Sequence, residues 1–146
     1  MTDEVRFSPY SYGAKADEAM VNASAVIPAH IGTPSGGMFW CQQAVEQYLK
    51  YCLGQTKPTF KLGCRHELLS LACEIGFPTS QEERVLMAKL TRAYYERTPG
   101  DPDETPQHPL TWDDADSALA FAQRVQKWTY AMHERIKDRL KDSKPA

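Results

Sequence analysis

Polar side chains that could bind or react recur at helical spacing in the first half of the chain. Gln42, Glu46 and Lys50 follow one another at steps of four, which places them on one face of a helix, and Gln43 lies beside them. We call these four residues the polar ridge. Carboxylate, amide and ammonium groups on one face could bind a charged ligand, or they could form an ordinary solvated helix surface.

His66 and Arg97 complete the set of polar residues on helices that should otherwise pack. An imidazole exchanges protons near neutral pH, and a guanidinium offers paired N–H donors. His66 stands at the start of the third predicted helix and Arg97 at the end of the fourth. The two could meet through the fold or across a dimer, and the alternative is that they are ordinary helix-end residues.

Other familiar sites lack their residue patterns. The chain contains neither GxGxxG nor GxxxxGK[ST], so no Rossmann or P-loop nucleotide site is expected. It also lacks HExxH and ExxH, and His66-Glu67 and His133-Glu134 are adjacent pairs that diverge on a helix. We therefore predict no metal and no cofactor.

The four cysteines predict reduced thiols rather than a zinc site or a disulfide framework. No CxxC pair is present, and no secretory signal precedes them, so we expect the cytoplasm and mostly buried thiols. A nucleophilic pair of Cys64 with His66 is the alternative to a core thiol at that position. The cysteines are Cys41, Cys52, Cys64 and Cys73.

The composition bounds the class of protein. The chain has 146 residues, of which 42% are hydrophobic and 25% charged, and this is typical of a globular domain and excludes wholesale disorder. Its net charge of −2 argues against a strongly basic protein that binds nucleic acid without specificity. No stretch is apolar enough to cross a membrane. We predict a single domain over residues 1–146, with its core at about 9–141.

Apolar residues recur at steps of three and four, which predicts an all-α, up-and-down bundle of four to five helices. Ser8 is expected to cap the first helix, with Pro9 at its first position. Ser80 and Glu83 have the spacing of a capping box at the start of the fourth. The predicted helices are Pro9–Ile27, Met38–Leu53, Arg65–Ile75, Ser80–Arg97 and a last helix that begins at Thr111.

Glycines and prolines predict where the helices are interrupted. Ile31–Gly37 is expected to be a turn and Gly54–Gly63 a loop. Thr98–Leu110 contains four prolines and is expected to be irregular.

Two large aromatic residues lie beside the apolar stripe of the last helix. Phe121 and Trp128 are seven positions apart, and this spacing keeps them on one edge. The edge could widen the face that packs on the core, or it could form a dimer interface.

Three segments, in order, resemble the signature of HEPN domains (higher eukaryotes and prokaryotes nucleotide-binding). Phe39 and the run Gln42–Lys50 resemble the QQA-x-E-x-x-LK motif of that family. Arg65–Leu69 resembles its THDLL segment, and Tyr94 with Arg97–Pro99 resembles its Y…RYPD ending. The resemblance covers residues 12–140, nearly the whole chain.

The resemblance implies a small helical bundle, commonly a homodimer. Many members are encoded beside a minimal nucleotidyltransferase, as toxin–antitoxin pairs or related modules. Some members are metal-independent ribonucleases, in which an Arg and a His four to six residues apart act at the dimer interface. The resemblance implies that nucleotide or nucleic acid is bound around Lys50, His66, Tyr94 and Arg97.

The catalytic spacing of the ribonucleases is not matched. Arg97 and His108 have ten residues between them, and Arg124 and His133 have eight. RNA cleavage through the 2′-hydroxyl needs a base, an acid and a cation on the phosphate oxygens. Whether the chain is an enzyme is therefore left open.

Three functions follow as hypotheses. The first is an interaction module that binds a nucleotide, an RNA or a nucleotidyltransferase partner, with Lys50 and Arg97 meeting phosphate. The second is a metal-independent ribonuclease with a rearranged site, in which His66 is the acid or base and Arg97 the phosphate clamp. The third is a dimeric scaffold in which the polar ridge is structural.

Overall fold

The protein is described here by a computed structural model that covers residues 7–8, 11–59, 62, 66–97 and 109–142, without the side chains of residues 96, 97 and 142. Within these ranges the chain forms five helices and no strand, which confirms the all-α class and the predicted bundle. The helices are α1 (Tyr12–Val26), α2 (Pro34–Thr56), α3 (Leu68–Ile75), α4 (Gln81–Arg97) and α5 (Trp112–Asp142).

Helix α2 is the centre of the bundle. It packs against each of the other four helices, and from Cys41 to Leu53 its buried residues lie all around its circumference. The apolar stripe predicted on this helix is buried throughout. Because α2 meets protein on every side, the polar residues between its apolar ones are also enclosed, and this determines the character of the site.

The predicted turn at Ile31–Gly37 is wrong in its second half, because α2 begins at Pro34. Thr33 is the N-cap, and its hydroxyl accepts a hydrogen bond from the backbone N–H three residues on at 3.1 Å. Proline fits the first helical position, where no helical hydrogen bond is lost. Gly37 allows the close approach of α1, since a Cβ there would lie 2.7 Å from a side-chain carbon of Ile27.

Helix α1 begins at Tyr12, so the predicted cap at Ser8 is also wrong. Ser11 is the N-cap, and its hydroxyl oxygen accepts from the backbone N–H three residues on at 3.2 Å. The backbone N–H and the hydroxyl of Ser11 donate to the carbonyl of Ser8 at 3.0 and 2.6 Å. The chain therefore turns once before the helix starts, while Pro9 lies outside the described residues.

The ends of the later helices follow their local sequence. The predicted capping box is confirmed: Glu83 N–H donates to the Ser80 hydroxyl at 3.1 Å, and Ser80 N–H donates to the Glu83 carboxylate at 3.0 Å. Thr111 and Asp114 make the same reciprocal pair at α5. α3 ends at Gly76, whose φ of 77° favours glycine. α2, by contrast, continues to Thr56, into the predicted loop.

Phe121 and Trp128 both pack inside the subunit. Phe121 is 4% exposed and belongs to the core, with its ring 6.2 Å from that of Phe77. Trp128 is half-buried and meets Phe77 edge to face at 5.0 Å. The edge therefore widens the core-facing side of α5, and the dimer interface at these residues stays a prediction.

The described cysteines carry free thiols. Cys41 and Cys52 are buried and Cys73 is exposed, while Cys64 lies outside the described residues. Burial raises the pKa of Cys41 to about 12 and that of Cys52 to about 11, so both thiols stay protonated and unreactive at neutral pH. None of the described helices combines the length and the hydropathy that a membrane-crossing segment requires.

Candidate functional site

A buried carboxylate lies at the centre of the polar ridge. Glu46 is 2% exposed, and both of its oxygens have hydrogen-bond partners. Oε1 accepts from the Gln42 amide at 2.9 Å and lies 2.9 Å from Nδ1 of His66. Oε2 accepts from Lys50 Nζ at 3.2 Å and from the Gln47 amide at 3.3 Å. These partners hold the charge, because an unpaired buried carboxylate would be strongly destabilising.

The polar ridge is not a solvated surface, so that interpretation of the sequence is wrong. Gln42 is fully buried, Lys50 is 4% exposed, and half-buried Gln43 donates to the Gln42 amide oxygen at 2.6 Å. The spacing placed the ridge on one face, but only the packing of α3 and α4 against α2 encloses it. The ridge is thus part of the interior of the bundle.

His66 connects this interior to the surface. It lies two residues before α3, so the predicted helix start at Arg65 is early, and its side chain is 27% exposed. Nδ1 faces Glu46, and Nε2 lies 3.3 Å from the hydroxyl of Tyr94 on α4. Because a carboxylate only accepts, a neutral imidazole places its proton on Nδ1 and accepts from Tyr94 at Nε2. The two partners therefore determine both the orientation and the tautomer of the ring.

Three rings continue outward from Glu46. The imidazole of His66 stacks on the Tyr94 ring with centroids 4.5 Å apart, and Phe39 lies nearly parallel to Tyr94 at 6.2 Å and 11°. We call Phe39, His66 and Tyr94 the aromatic row. All three are partly exposed, and neither Phe39 nor Tyr94 is among the partly buried side chains that pack on the hydrophobic core. Their mutual packing is therefore distinct from the core.

Two polar groups beside Glu46 Oε2 have hydrogen-bonding capacity to spare. The buried Gln47 Oε1 has no partner within the described ranges, and its amide is oriented by donation to Glu46. Lys50 carries three N–H donors, and Glu46 Oε2 is the acceptor that the structure gives it. Buried groups of this kind in native proteins usually meet water or another molecule. We call Gln42, Gln43, Glu46, Gln47, Lys50, His66 and Tyr94 the Glu46 cluster.

Most of the sequence-predicted site residues meet in this cluster. Lys50, His66 and Tyr94 are brought together with the polar ridge, although they come from three separate segments. Arg97 is the last residue of α4, three positions after Tyr94, and positions i and i+3 share a helix face. Its side chain is outside the described part of the chain, as are His108 and Arg65.

A second polar cluster, on the opposite side of α2, was missed by the sequence analysis. Asp17 Oδ1 on α1 accepts from the hydroxyls of Tyr48 and Tyr130, the latter at 2.6 Å, and lies 3.5 Å from the Gln126 amide. That amide also donates to Tyr48 at 2.9 Å and Tyr130 at 3.2 Å. We call these four residues the Asp17 cluster. No spacing reveals it, because its members lie on α1, α2 and α5.

The chemistry of the Asp17 cluster is that of a closed structural link. Burial, with the hydrogen bond and the negative charge of Asp17, raises the pKa of Tyr48 well above its usual range and that of Tyr130 to about 12. Both phenols therefore stay protonated at neutral pH and donate to the carboxylate. The arrangement joins three helices through hydrogen bonds among its own members.

The Phe7 ring packs next to the Asp17 cluster, on the side of α2 that faces α1 and α5. It lies 4.8 Å from Tyr51 and 4.9 Å from His133, and a Cβ on Gly13 would come within 2.4 Å of it. The Tyr51 hydroxyl is hydrogen-bonded to Nδ1 of His133. Burial, followed by the positive charge of Lys137, lowers the pKa of His133. The ring of this histidine is thus packed against Phe7 and Tyr51.

A metal centre finds no support within the described ranges. No group of three or more His, Cys, Asp or Glu side chains in these ranges is arranged to hold an ion. Glu46 and His66 are a single pair, whose remaining neighbours are a cation, amides and a phenol. Such a set favours an acid–base or binding role over metal ligation.

The comparisons with known proteins identify one family. A family model described as HEPN domain matches residues 15–136, which is most of the chain. The match includes every member of the Glu46 cluster and of the Asp17 cluster. Comparison with curated proteins and with solved structures gave no match.

Proposed function

The chain belongs to the HEPN domain family, and from that premise we propose that it is a binding module for a phosphate-bearing ligand, a nucleotide or an RNA, at the Glu46 cluster. The observation that carries the proposal is a buried carboxylate, Glu46, that holds a lysine and a histidine and opens to solvent through the histidine. A buried polar atom in a native protein seldom lacks a partner, and Gln47 Oε1 beside this carboxylate has none within the described ranges.

Each residue has a distinct part in this proposal. His66 and Tyr94 contact the ligand, and Arg97 pairs with its phosphate from the end of α4. Lys50 is 4% exposed and 3.2 Å from Glu46, so we assign it to the neutralisation of that carboxylate rather than to direct phosphate contact. This differs from the role that the sequence suggested for Lys50.

The test is the binding of fluorescently labelled mixed-sequence RNA, with ADP as a competitor. Arg97→Ala should weaken binding about tenfold, which corresponds to about 1.4 kcal/mol, and should reduce the salt dependence by about one phosphate contact. Arg135→Ala removes an exposed arginine of α5 and is the matched control, for which no change is expected. Equal weakening by both variants would show that the loss comes from the change in net charge alone, and it would contradict the proposal.

A ribonuclease is the second candidate, and one contact favours it. Nδ1 of His66 is held by Glu46 at 2.9 Å, an arrangement that fixes the imidazole for proton transfer at Nε2. In this role Nε2 would exchange its hydrogen bond with Tyr94 for the substrate, and would then take the 2′-hydroxyl proton or protonate the leaving oxygen. Arg97 would stabilise the charge on the phosphate. The reaction needs no metal.

Cleavage of mixed RNA in excess chelator separates the two candidates. A ribonuclease at this site predicts cleavage by wild type and none by His66→Ala. RNA that binds but stays intact in both would leave the binding module and reject the enzyme. Cleavage that persists in His66→Ala would reject a reaction at this site.

The partners are part of the proposal. HEPN domains often dimerise, and we propose a homodimer for this chain as well. A nucleotidyltransferase protein and a toxin–antitoxin setting follow from the family resemblance alone. Sedimentation of the purified chain tests the dimer, and a monomer at micromolar concentration would contradict it.

A further inference from the structure

We infer that the aromatic row binds an unpaired nucleobase of single-stranded RNA by stacking. This rests on the proposed function, and it adds the part of the ligand that is recognised. The starting observation is that Phe39, His66 and Tyr94 form a continuous set of rings, at 4.5 and 6.2 Å, on the open side of the Glu46 cluster.

The polar edges of the His66 ring are already occupied. Nδ1 faces Glu46 at 2.9 Å and Nε2 faces the Tyr94 hydroxyl at 3.3 Å. What the partly exposed imidazole offers to a ligand in this arrangement is therefore the ring face that does not stack on Tyr94. A nucleobase is a flat π system that stacks on such surfaces whatever its sequence.

The location of the rings supports a recognition role over a packing role. Trp40, the neighbour of Phe39, packs on the hydrophobic core, whereas Phe39 and Tyr94 are partly buried without belonging to it. Tyr95, which is 58% exposed, meets Tyr94 edge to face at 5.2 Å. An aromatic surface that the core does not require is suited to bases that are free of a duplex.

Rigid support is the second requirement of a stacking surface. Glu46 fixes the orientation of His66, and Lys50 and Gln42 hold Glu46 from inside the bundle. The buried Gln47 Oε1, which has no partner within the described ranges, lies beside Glu46 in the same cluster. The row is thus a rigid platform rather than a flexible surface loop.

The proposed function assigns the phosphate contact to Arg97. This residue follows Tyr94 by three positions at the end of α4, and the two positions share a helix face. A base on the aromatic row and its phosphate toward the end of α4 form a pairing typical of single-strand recognition. A duplex, whose bases are stacked on each other, would lack the free base.

The experiment compares three labelled ligands of equal phosphate number on the full chain: an oligoadenylate RNA, the same strand with abasic riboses, and a duplex. Wild type should bind the oligoadenylate at least tenfold more tightly than the abasic strand and the duplex. Tyr94→Leu should weaken oligoadenylate binding roughly 5- to 150-fold, the range for one stacked base, and should narrow the difference between the oligoadenylate and the abasic strand.

Phe39→Leu is a second variant, for use if Tyr94→Leu unfolds, and it should act in the same direction. Tyr12→Leu on α1 removes a half-buried ring far along the chain from the row and is the matched control. Equal binding of oligoadenylate and abasic RNA by wild type would overturn the stacking inference and leave a phosphate-binding module. Binding of neither strand would overturn the proposed function as well.

Discussion

Helix α2 carries two polar clusters on opposite sides, each built around one carboxylate. In the Asp17 cluster the carboxylate receives neutral donors, two phenols and one amide, and these donors also bond to each other. In the Glu46 cluster the carboxylate holds an ammonium and an imidazole, and one amide oxygen beside it has no partner within the described ranges. The members of the first cluster bond to one another, whereas the second includes a buried ion pair and reaches the surface at His66.

The comparison teaches how a structural cluster differs from a candidate site in the same fold. Neutral donors form the hydrogen bonds to Asp17, so no counter-charge is buried beside it. The cluster therefore joins α1, α2 and α5 without the desolvation cost of a second charged group. A buried Glu46–Lys50 pair contributes little net stability, because its desolvation offsets its attraction. Its presence at a partly open cluster is better explained by function than by stability.

Breaking the Glu46 cluster should give the largest loss of stability. Glu46→Gln leaves the Lys50 ammonium buried without its counter-charge, and such losses cost about 3–5 kcal/mol. We expect a fall of this size in the free energy of unfolding, measured from the denaturant midpoint at constant slope.

The double variant Glu46→Gln with Lys50→Met is the control for this prediction. It removes both charges, so it should recover most of the stability that the single variant loses. If the double variant is as unstable as the single one, the buried charge is not the cause.

Asp17→Asn should cost less, about 1.5–3 kcal/mol. It weakens hydrogen bonds from two phenols to a charged acceptor but leaves no buried cation behind. The same denaturant measurement applies, and RNA binding by this variant should equal that of wild type. A loss as large as that of Glu46→Gln would erase the distinction between the clusters.

Gly13→Ala tests the contact between the start of α1 and the Phe7 ring, next to the Asp17 cluster. The new Cβ would lie within 2.4 Å of the Phe7 ring, so we expect Phe7 to be displaced at a cost of about 1 kcal/mol. In a Phe7→Ala background the same change should instead raise stability by about 0.5–1 kcal/mol, because alanine favours a helix more than glycine does. The same sign in both backgrounds would contradict the contact.

The last prediction concerns alkaline pH. The pKa of Tyr130 is raised from 10 to about 12, so the unfolded chain loses this proton first as pH rises. The stability that the neutral phenol contributes is complete below pH 10 and is lost between pH 10 and 12. Denaturant midpoints should therefore fall more steeply over this window in wild type than in Tyr130→Phe. Parallel curves would show that the phenol does not titrate with folding.

Local chemistry explains which features could be predicted from the sequence. The Ser80–Glu83 capping box needs only residues three positions apart, and it forms as predicted. The prediction of a turn at Ile31–Gly37 was wrong in its second half, because it gave the glycines more weight than the N-cap at Thr33 and the proline after it. Gly37 lies in the first turn of α2, where the Ile27 side chain at the end of α1 leaves no room for a Cβ.

Burial and distant contacts explain what could not be predicted. The four-residue steps place Gln42, Glu46 and Lys50 on one face, but the enclosure of that face depends on how α3 and α4 pack. Asp17 meets residues 31 to 113 positions away, and nothing in its neighbourhood on α1 signals these contacts. The resemblance grouped Lys50, His66 and Tyr94, and the geometry adds that Glu46 is the group that joins Lys50 to His66.

The most direct test of the central claim compares one variant from each cluster in a single RNA-binding titration. His66→Ala and Gln126→Ala each remove a half-buried polar side chain, one from the Glu46 cluster and one from the Asp17 cluster. We predict that His66→Ala weakens binding at least tenfold and that Gln126→Ala binds like wild type. Equal affinities for the two variants, or a larger loss in Gln126→Ala, would contradict the assignment of the site to the Glu46 cluster.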